Sequence, residues 1–316
     1  QFNKNLNFTP LFILIVFSIL YVSYVKEELE MKKWVFISFF IVCTVCVGVY
    51  ISPLFQKEID VKIVGKDELV KAANTDGKEI TKEQIYKGDL LLVNRDYPVK
   101  KDSIRSDIIN VNHNSELVRG YVIFDRNLRL SKDVVKKFLN VVDAAGKESV
   151  NHFLISSGYR DFQEQKQLYE KMGSDYALPA GYSEHNLGLS LDIGSTQKKM
   201  EKAPEGKWIE ENVWKHGFVL RYPKNKSNIT GIQYEPWHIR YVGLPHSAIM
   251  QKKNFTLEEY LGFLKEEKEI STEVEGKKYT VSYYKVSENM KVNVPANKQY
   301  EISGNNMDGV IVTVQE

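Results

Sequence analysis

Cysteine is nearly absent from this sequence. Its 316 residues include two cysteines, Cys43 and Cys46, which both lie in the most hydrophobic segment of the chain. A C-x-x-C metal or redox motif needs a polar and accessible setting, so we interpret this pair as small hydrophobic residues. The rest of the chain has no thiol, which excludes disulfide bonds as a source of its stability.

An excess of charge of either sign is also lacking. The 43 Lys and Arg residues nearly balance the 41 Asp and Glu residues. No strongly basic surface is therefore predicted, and nucleic acid is not expected as a partner. At about 100 to 200 residues per domain, the length predicts more than one module.

Long hydrophobic runs occur only near the start of the chain, at residues 10–25 and 34–55. The second run carries no charge and is long enough to cross a hydrocarbon core of about 30 Å. Lys32 and Lys33 precede it, so the positive-inside rule predicts that the remainder lies outside the cytoplasm. We predict a membrane anchor at residues 1–55. It has one or two spans, and Met31 is an alternative start because the chain begins with Gln.

Composition changes twice after the anchor. Residues 56–89 are charged and polar with Gly, Asn and Asp breakers, which predicts a stalk. Residues 90–268 alternate helical and strand patterns, beginning with an apolar first strand at residues 90–94. From residue 269 to 316, β-branched and alternating segments predict a small β module. The middle segment is expected to be an α+β domain with a small antiparallel sheet flanked by helices.

Three short blocks in the middle segment hold chemically active residues: SGYRDFQEQ, SEHNLGLSLDIG and YEPWHIRYVG. His185 and Asp192 lie in the second block, and Glu235 and His238 lie in the third. Two imidazoles and one carboxylate are a ligand set of hydrolytic zinc sites, which keep a fourth position for water. We predict that His185, Asp192 and His238 bind Zn²⁺ and that Glu235 is the general base.

Two breaks in the chain are needed before these residues can meet. His185 and Asp192 are seven positions apart and would point in opposite directions on a continuous strand, so a turn is expected at residues 184–187. Pro236 lies between Glu235 and His238. It has no N–H to donate to a neighbouring strand, which favours an edge or a bulge at this position. Arg160 could either clamp a substrate carboxylate or stabilise an oxyanion.

At these blocks the sequence closely resembles the VanY-type D-alanyl-D-alanine carboxypeptidases, zinc peptidases of the LAS group. The resemblance covers roughly residues 90–267 and rests on SGYRDFQEQ, the S-x-H-x6-D block and EPWH. It implies the LAS-type (hedgehog/D-Ala-D-Ala peptidase-like) fold and the same zinc ligands and base. It also implies that Arg160 stabilises substrate or transition state, and that Gln165 and Ser183 contact the terminal D-alanine.

The resemblance further implies a substrate and a biological role. The substrate would be a peptidoglycan pentapeptide precursor ending in D-Ala-D-Ala, whose cleavage lowers the concentration of the target of vancomycin-type antibiotics. A membrane anchor would raise the concentration of the enzyme near a substrate that lies at the outer face of the membrane. Three alternatives remain open beside it: an L,D-carboxypeptidase, an endopeptidase of the same family and a non-catalytic wall-binding protein. The β module is either a packing partner or a wall-binding accessory.

Overall fold

The computed structural model describes residues 60–63, 75–173 and 177–316. The predicted anchor at residues 1–55, with Cys43 and Cys46, lies outside these residues. Within the described ranges no helix is both long and apolar enough to cross a membrane. The chain divides into a unit at residues 1–57 and a unit at residues 58–316, and every described residue belongs to the second.

Strands make up both ends of the second unit, and helices alternate with strands in its middle. Its α-helices are α1 Lys132–Lys147, α2 Phe162–Met172, α3 Pro204–Asn212, α4 Ser227–Thr230, α5 His246–Lys253 and α6 Leu257–Glu267. Its strands are β1 Asp60–Ile63, β2 Thr75–Ile80, β3 Ile108–Asn110, β4 Tyr121–Ile123, β5 Arg129–Ser131, β6 Phe153–Ser157, β7 Ser190–Ser195, β8 Phe218–Leu220, β9 His238–Tyr241, β10 Glu269–Val274, β11 Lys277–Lys285, β12 Met290–Pro295, β13 Gln299–Gly304 and β14 Gly309–Gln315.

The sheet that carries the candidate site has the order β4-β6-β7-β9-β8. All neighbouring pairs are antiparallel except β4 and β6, which run parallel. The prediction of a small antiparallel sheet therefore holds for β6, β7, β9 and β8 and is wrong for β4 at the edge. The chain between β4 and β6 includes β5 and the whole of α1, and a crossover of that length allows the parallel pairing.

Helix α1 covers this sheet and begins where its sequence predicts. The Ser131 hydroxyl accepts a hydrogen bond from the Val134 amide, which satisfies one of the free N–H groups at the helix start. Its apolar stripe includes Phe138, which is fully buried and packs edge-on against Phe153 of β6. The predicted amphipathic core helix is confirmed.

The C-terminal β module draws strands from both ends of the unit. Its five-stranded sheet has the order β1-β10-β11-β14-β13, and β2 pairs with β12 in a separate two-stranded ladder. The prediction of a stalk at residues 56–89 is wrong for the parts that form β1 and β2. The polar composition of these segments does not prevent pairing, because their backbone groups hydrogen-bond to β10 and β12. Without β1 and β2, those edges of β10 and β12 would be unpaired.

The apolar stretch at residues 90–94 is not a strand. It runs as an irregular segment between two cores, with Leu91 and Val93 in the core under the sheet β4-β6-β7-β9-β8. Leu90 and Leu92 belong instead to the core that α5 and α6 form with the C-terminal sheet. The predicted first strand is wrong, because the four apolar side chains are buried alternately in two cores on opposite sides of the segment, and the segment pairs with no sheet among the described residues.

Candidate metal centre

Two of the predicted ligands lie side by side on adjacent strands. Asp192 of β7 is the direct cross-strand partner of His238 of β9. Opposed residues of antiparallel strands place their Cβ atoms roughly 4.5–5.5 Å apart on one face. Strand β9 begins only at His238, after a turn that contains Pro236, so the predicted break at this proline is confirmed.

The third predicted ligand reaches them through a tight turn. A short 3₁₀ helix spans Glu184–Asn186, and the Ser183 hydroxyl accepts a hydrogen bond from the His185 amide at 3.4 Å. Gly188 follows with φ of 83°, where a side chain would be strained and its Cβ would lie 2.5 Å from Ile108. The predicted turn before β7 is therefore confirmed.

Three donor atoms converge beside Asp192, the third residue of β7. The Nε2 of His185 lies 3.2 Å from Oδ2 of Asp192, and the Nδ1 of His238 lies 3.1 Å from Oδ1 of the same carboxylate. One donor atom from each of the three residues lies within 4.8 Å of the others. Tetrahedral zinc with bonds near 2.0–2.1 Å sets neighbouring ligand atoms about 3.3 Å apart. The donor set and its spacing fit this ion.

The second nitrogen of each histidine also has a defined partner. Nδ1 of His185 lies 2.6 Å from the carbonyl oxygen of Gly158, which can only accept, so Nδ1 carries the proton and Nε2 is free for a metal. Nε2 of His238 lies 3.4 Å from Oε2 of Glu184. Burial by itself would lower the pKa of His238, but contacts with Asp192 and Glu184 outweigh it and raise this pKa to about 9.

Glu235 lies beside the three donors without belonging to them. Its Oε2 is 3.7 Å from Nδ1 of His238, and its amide donates to the carbonyl oxygen of Tyr222 at 3.0 Å. Burial is the main cause that raises the pKa of Glu235 to about 7. A carboxyl group with this pKa exchanges its proton readily near neutral pH, as a general base must.

Arg160 lies beside the same centre, and Gln165 follows it on α2. The Arg160 amide donates to the carbonyl oxygen of His185 at 3.1 Å. Burial lowers the pKa of Arg160, while the negative charges of Asp192 and Glu235 oppose that change. Within the described part of the chain, Nε of Arg160 and Oε1 of Gln165 are buried without a hydrogen-bond partner. These two atoms are therefore available to a bound molecule.

The side chains of Gln165 and Ser183 also form hydrogen bonds with the protein backbone. The Gln165 side chain is buried, and its amide nitrogen donates to the carbonyl oxygen of Leu178 at 2.6 Å. Ser183 is also buried, with its hydroxyl at the start of the turn that carries His185. The structure thus places Ser183 next to the turn that carries the ligand candidate His185, and Gln165 in α2, five positions after Arg160.

Sequence reasoning missed the carboxylate next to the first ligand. Glu184 is fully buried and lies among His238, Arg221 and Arg240. Its position beside His185 was the one available signal, because its two arginine partners are more than 35 positions away in the sequence. His246 is buried between Tyr260 and Thr313 and has a structural role.

Comparisons with known proteins agree on the class of enzyme. The family model described as "VanY: D-alanyl-D-alanine carboxypeptidase" matches residues 127–244, which include every candidate site residue. A D-alanyl-D-alanine carboxypeptidase of Enterococcus faecium is 62% identical over 241 residues, which are 76% of this chain and 80% of that protein.

Two solved structures are similar in fold. One is the D,D-dipeptidase VanXYg in complex with a D-Ala-D-Ala phosphinate analogue. It has a TM-score of 0.68 at 30% identity, over 77% of this chain and all of that chain. The other is the LD-carboxypeptidase LdcB. It has a TM-score of 0.50 at 30% identity, over 60% of this chain and 94% of that one.

Proposed function

Because the chain belongs to the VanY family of D-alanyl-D-alanine carboxypeptidases, we propose that it is a zinc D,D-carboxypeptidase that acts on peptidoglycan precursors. It removes the C-terminal D-Ala from stems that end in D-Ala-D-Ala. The observation that carries this proposal is the convergence of His185, Asp192 and His238, with Glu235 beside them. A similar structure binds an analogue of this dipeptide, which supports the choice of substrate.

The residues present have separate tasks in this reaction. His185, Asp192 and His238 would hold zinc. When zinc is bound, it would polarise a scissile carbonyl and lower the pKa of a water molecule. Glu235 accepts a proton from the attacking water and returns it to the amine of the departing D-Ala. Its raised pKa of about 7 supports both halves of that transfer at neutral pH.

Arg160 and Gln165 recognise the substrate in this proposal. The stem peptide ends in a free carboxylate, and a guanidinium can bind this negative charge through paired hydrogen bonds. Arg160 is near the donor cluster and has a buried Nε without a hydrogen-bond partner among the described residues. Gln165 offers its free Oε1 as an acceptor, and Ser183 lies at the start of the adjoining turn.

The proposal includes a location and a role. The apolar run at residues 34–55 and the lysines before it support an anchored enzyme whose catalytic domain lies outside the cytoplasm. Tethering would raise its effective concentration near lipid-linked precursors. Loss of the D-Ala-D-Ala end removes the target of vancomycin-type antibiotics, which makes the enzyme a contributor to glycopeptide resistance.

An L,D-carboxypeptidase is the second candidate, and the similarity to LdcB favours it. Mass analysis of two reactions separates the two activities. A UDP-muramyl-pentapeptide should lose one D-Ala, and the corresponding tetrapeptide should stay intact. Loss of D-Ala from the tetrapeptide alone would overturn the D,D assignment.

The same assay distinguishes an enzyme from a wall-binding protein. Chelation of the metal and the Glu235→Ala substitution should each stop release of D-Ala from the pentapeptide. Release that persists in both cases would refute the proposed catalytic centre, and binding without release by the untreated protein would support the wall-binding alternative.

A further inference from the structure

Glu184 is next to the ligand His185 in the sequence, but its side chain serves the other histidine. The residue is 1% exposed, and its Oε2 lies 3.4 Å from Nε2 of His238. The same oxygen accepts a hydrogen bond from the Ser190 hydroxyl at 3.0 Å. The Nδ1 of His238 is thereby left facing Asp192 and the donor cluster.

Two arginines hold the opposite oxygen of this carboxylate. Oε1 of Glu184 accepts hydrogen bonds from Nε of Arg221 at 2.8 Å and from Nη1 of Arg240 at 2.7 Å. Both arginines are buried, at 1% and 0% side-chain exposure. A guanidinium stays charged in proteins, so a carboxylate between two of them is an anion that can only accept hydrogen bonds.

Arg240 is itself fixed from a distant part of the fold. Its Nη2 donates to the carbonyl oxygens of Asp89 and Leu91 at 2.9 and 3.0 Å. The segment that contains these residues is held in turn by the C-terminal module, where Asn306 donates to the carbonyl oxygen of Leu92 at 2.8 Å. The Glu184 carboxylate therefore has little freedom to move away from His238.

We propose that Glu184 is a positioning residue of the metal centre. It holds the proton of His238 on Nε2 and presents Nδ1 as the nitrogen that binds the metal. A carboxylate on the outer nitrogen of a ligand histidine fixes its tautomer and ring orientation, and its loss typically lowers metal affinity 10–100-fold. This inference rests on the metal site of the proposed function.

Glu184→Gln is the informative substitution, with Glu258→Gln as its matched control. If the amide oxygen of the introduced glutamine stays on the two arginines, its NH₂ group faces Nε2 of His238 and favours the wrong tautomer. Glu258 pairs with the same Arg221, through Nη1 and Nη2 at 2.9 and 2.6 Å. Each variant removes one carboxylate from that arginine, and only Glu184 contacts His238.

The readout is the zinc dissociation constant, measured by competition with a chelator on protein whose circular dichroism shows that it is folded. We expect Glu184→Gln to weaken zinc binding about 10–100-fold and Glu258→Gln to leave it unchanged. Equal weakening in both variants, or none in Glu184→Gln, would overturn the inference. Failure of the unsubstituted protein to bind zinc would instead overturn the metal site of the proposed function.

A second measurement needs no substitution, in case Glu184→Gln does not fold. Nitrogen-15 spectra of the imidazoles in the zinc-loaded protein identify which nitrogen of His238 is protonated. A proton on Nε2 with metal on Nδ1 supports the inference. Metal on Nε2 refutes it, even though zinc is bound and the proposed function stands.

Discussion

The metal-free protein is expected to lose stability as the pH rises from 6.5 to 9. The pKa of His238 is raised in the folded protein from the ordinary value of 6.5 to about 9, because Asp192 and Glu184 outweigh the effect of burial. A group with a raised folded pKa binds more protons in the folded state than in the unfolded state. Its stabilising effect is complete below pH 6.5 and disappears as the pH passes 9.

The size of this loss follows from the two pKa values. Each pKa unit corresponds to about 1.4 kcal/mol, so the difference between 6.5 and about 9 corresponds to about 3 to 4 kcal/mol of unfolding free energy. The raised pKa of Glu235 acts in the same direction, but its effect falls mainly between pH 4.5 and 7. The interval from pH 6.5 to 9 therefore reports chiefly on His238.

Urea unfolding of chelator-treated protein at pH 6.5 and 9.0 measures the effect, with circular dichroism as the signal. His238→Gln is the control, and its unfolding free energy should change much less between the two values. Bound zinc should also abolish the dependence, because the metal takes the place of the proton. An unfolding free energy that is equal or higher at pH 9.0 in the unsubstituted, metal-free protein would refute the reasoning.

Three further predictions concern catalysis, packing and the metal. Glu235→Gln should lower kcat about 10²–10⁴-fold while zinc stays bound, because it removes the proton acceptor and spares the ligands; steady-state kinetics with zinc quantification checks this, and loss of zinc would contradict it. Gly304→Ala should lower the melting temperature, since its Cβ would lie 2.0 Å from the carbonyl oxygen of Ile85. Gly262→Ala, at a helical position with open space, should stabilise α6 by about 1 kcal/mol, so thermal unfolding that ranks the two glycine variants in reverse would refute this comparison. Chelation should abolish D-Ala release and added zinc should restore it, so activity in fully metal-free protein would exclude the metal mechanism.

Local features of the fold could be predicted because their causes lie within a few residues. The capping boxes at Asp161 and Thr256 mark the starts of α2 and α6, where each side chain bonds to the backbone three positions on. The turn before β7 and the break at Pro236 followed from the requirement that the ligands meet. The two helix starts depend only on bonds within three residues, so a single sequence is enough to locate them.

Long-range pairing could not be predicted in the same way. The segments that form β1 and β2 are polar, and their strand partners β10 and β12 lie some 200 positions later. The stretch at residues 90–94 is a short apolar run of the kind that forms a buried strand, yet it lies between two cores. In both cases the partner decides the conformation, and a single sequence does not identify partners.

For the candidate site, the sequence by itself determined the residue types: two histidines, an aspartate and a separate glutamate in three recognisable blocks. Only the tertiary structure decided how each is oriented and charged. Glu184 illustrates the difference, since its partners Arg221 and Arg240 become neighbours only when β8 and β9 pair. Burial and ion pairing depend on which groups the fold brings together, and these set the pKa values and the ligand nitrogen on which the proposed chemistry depends.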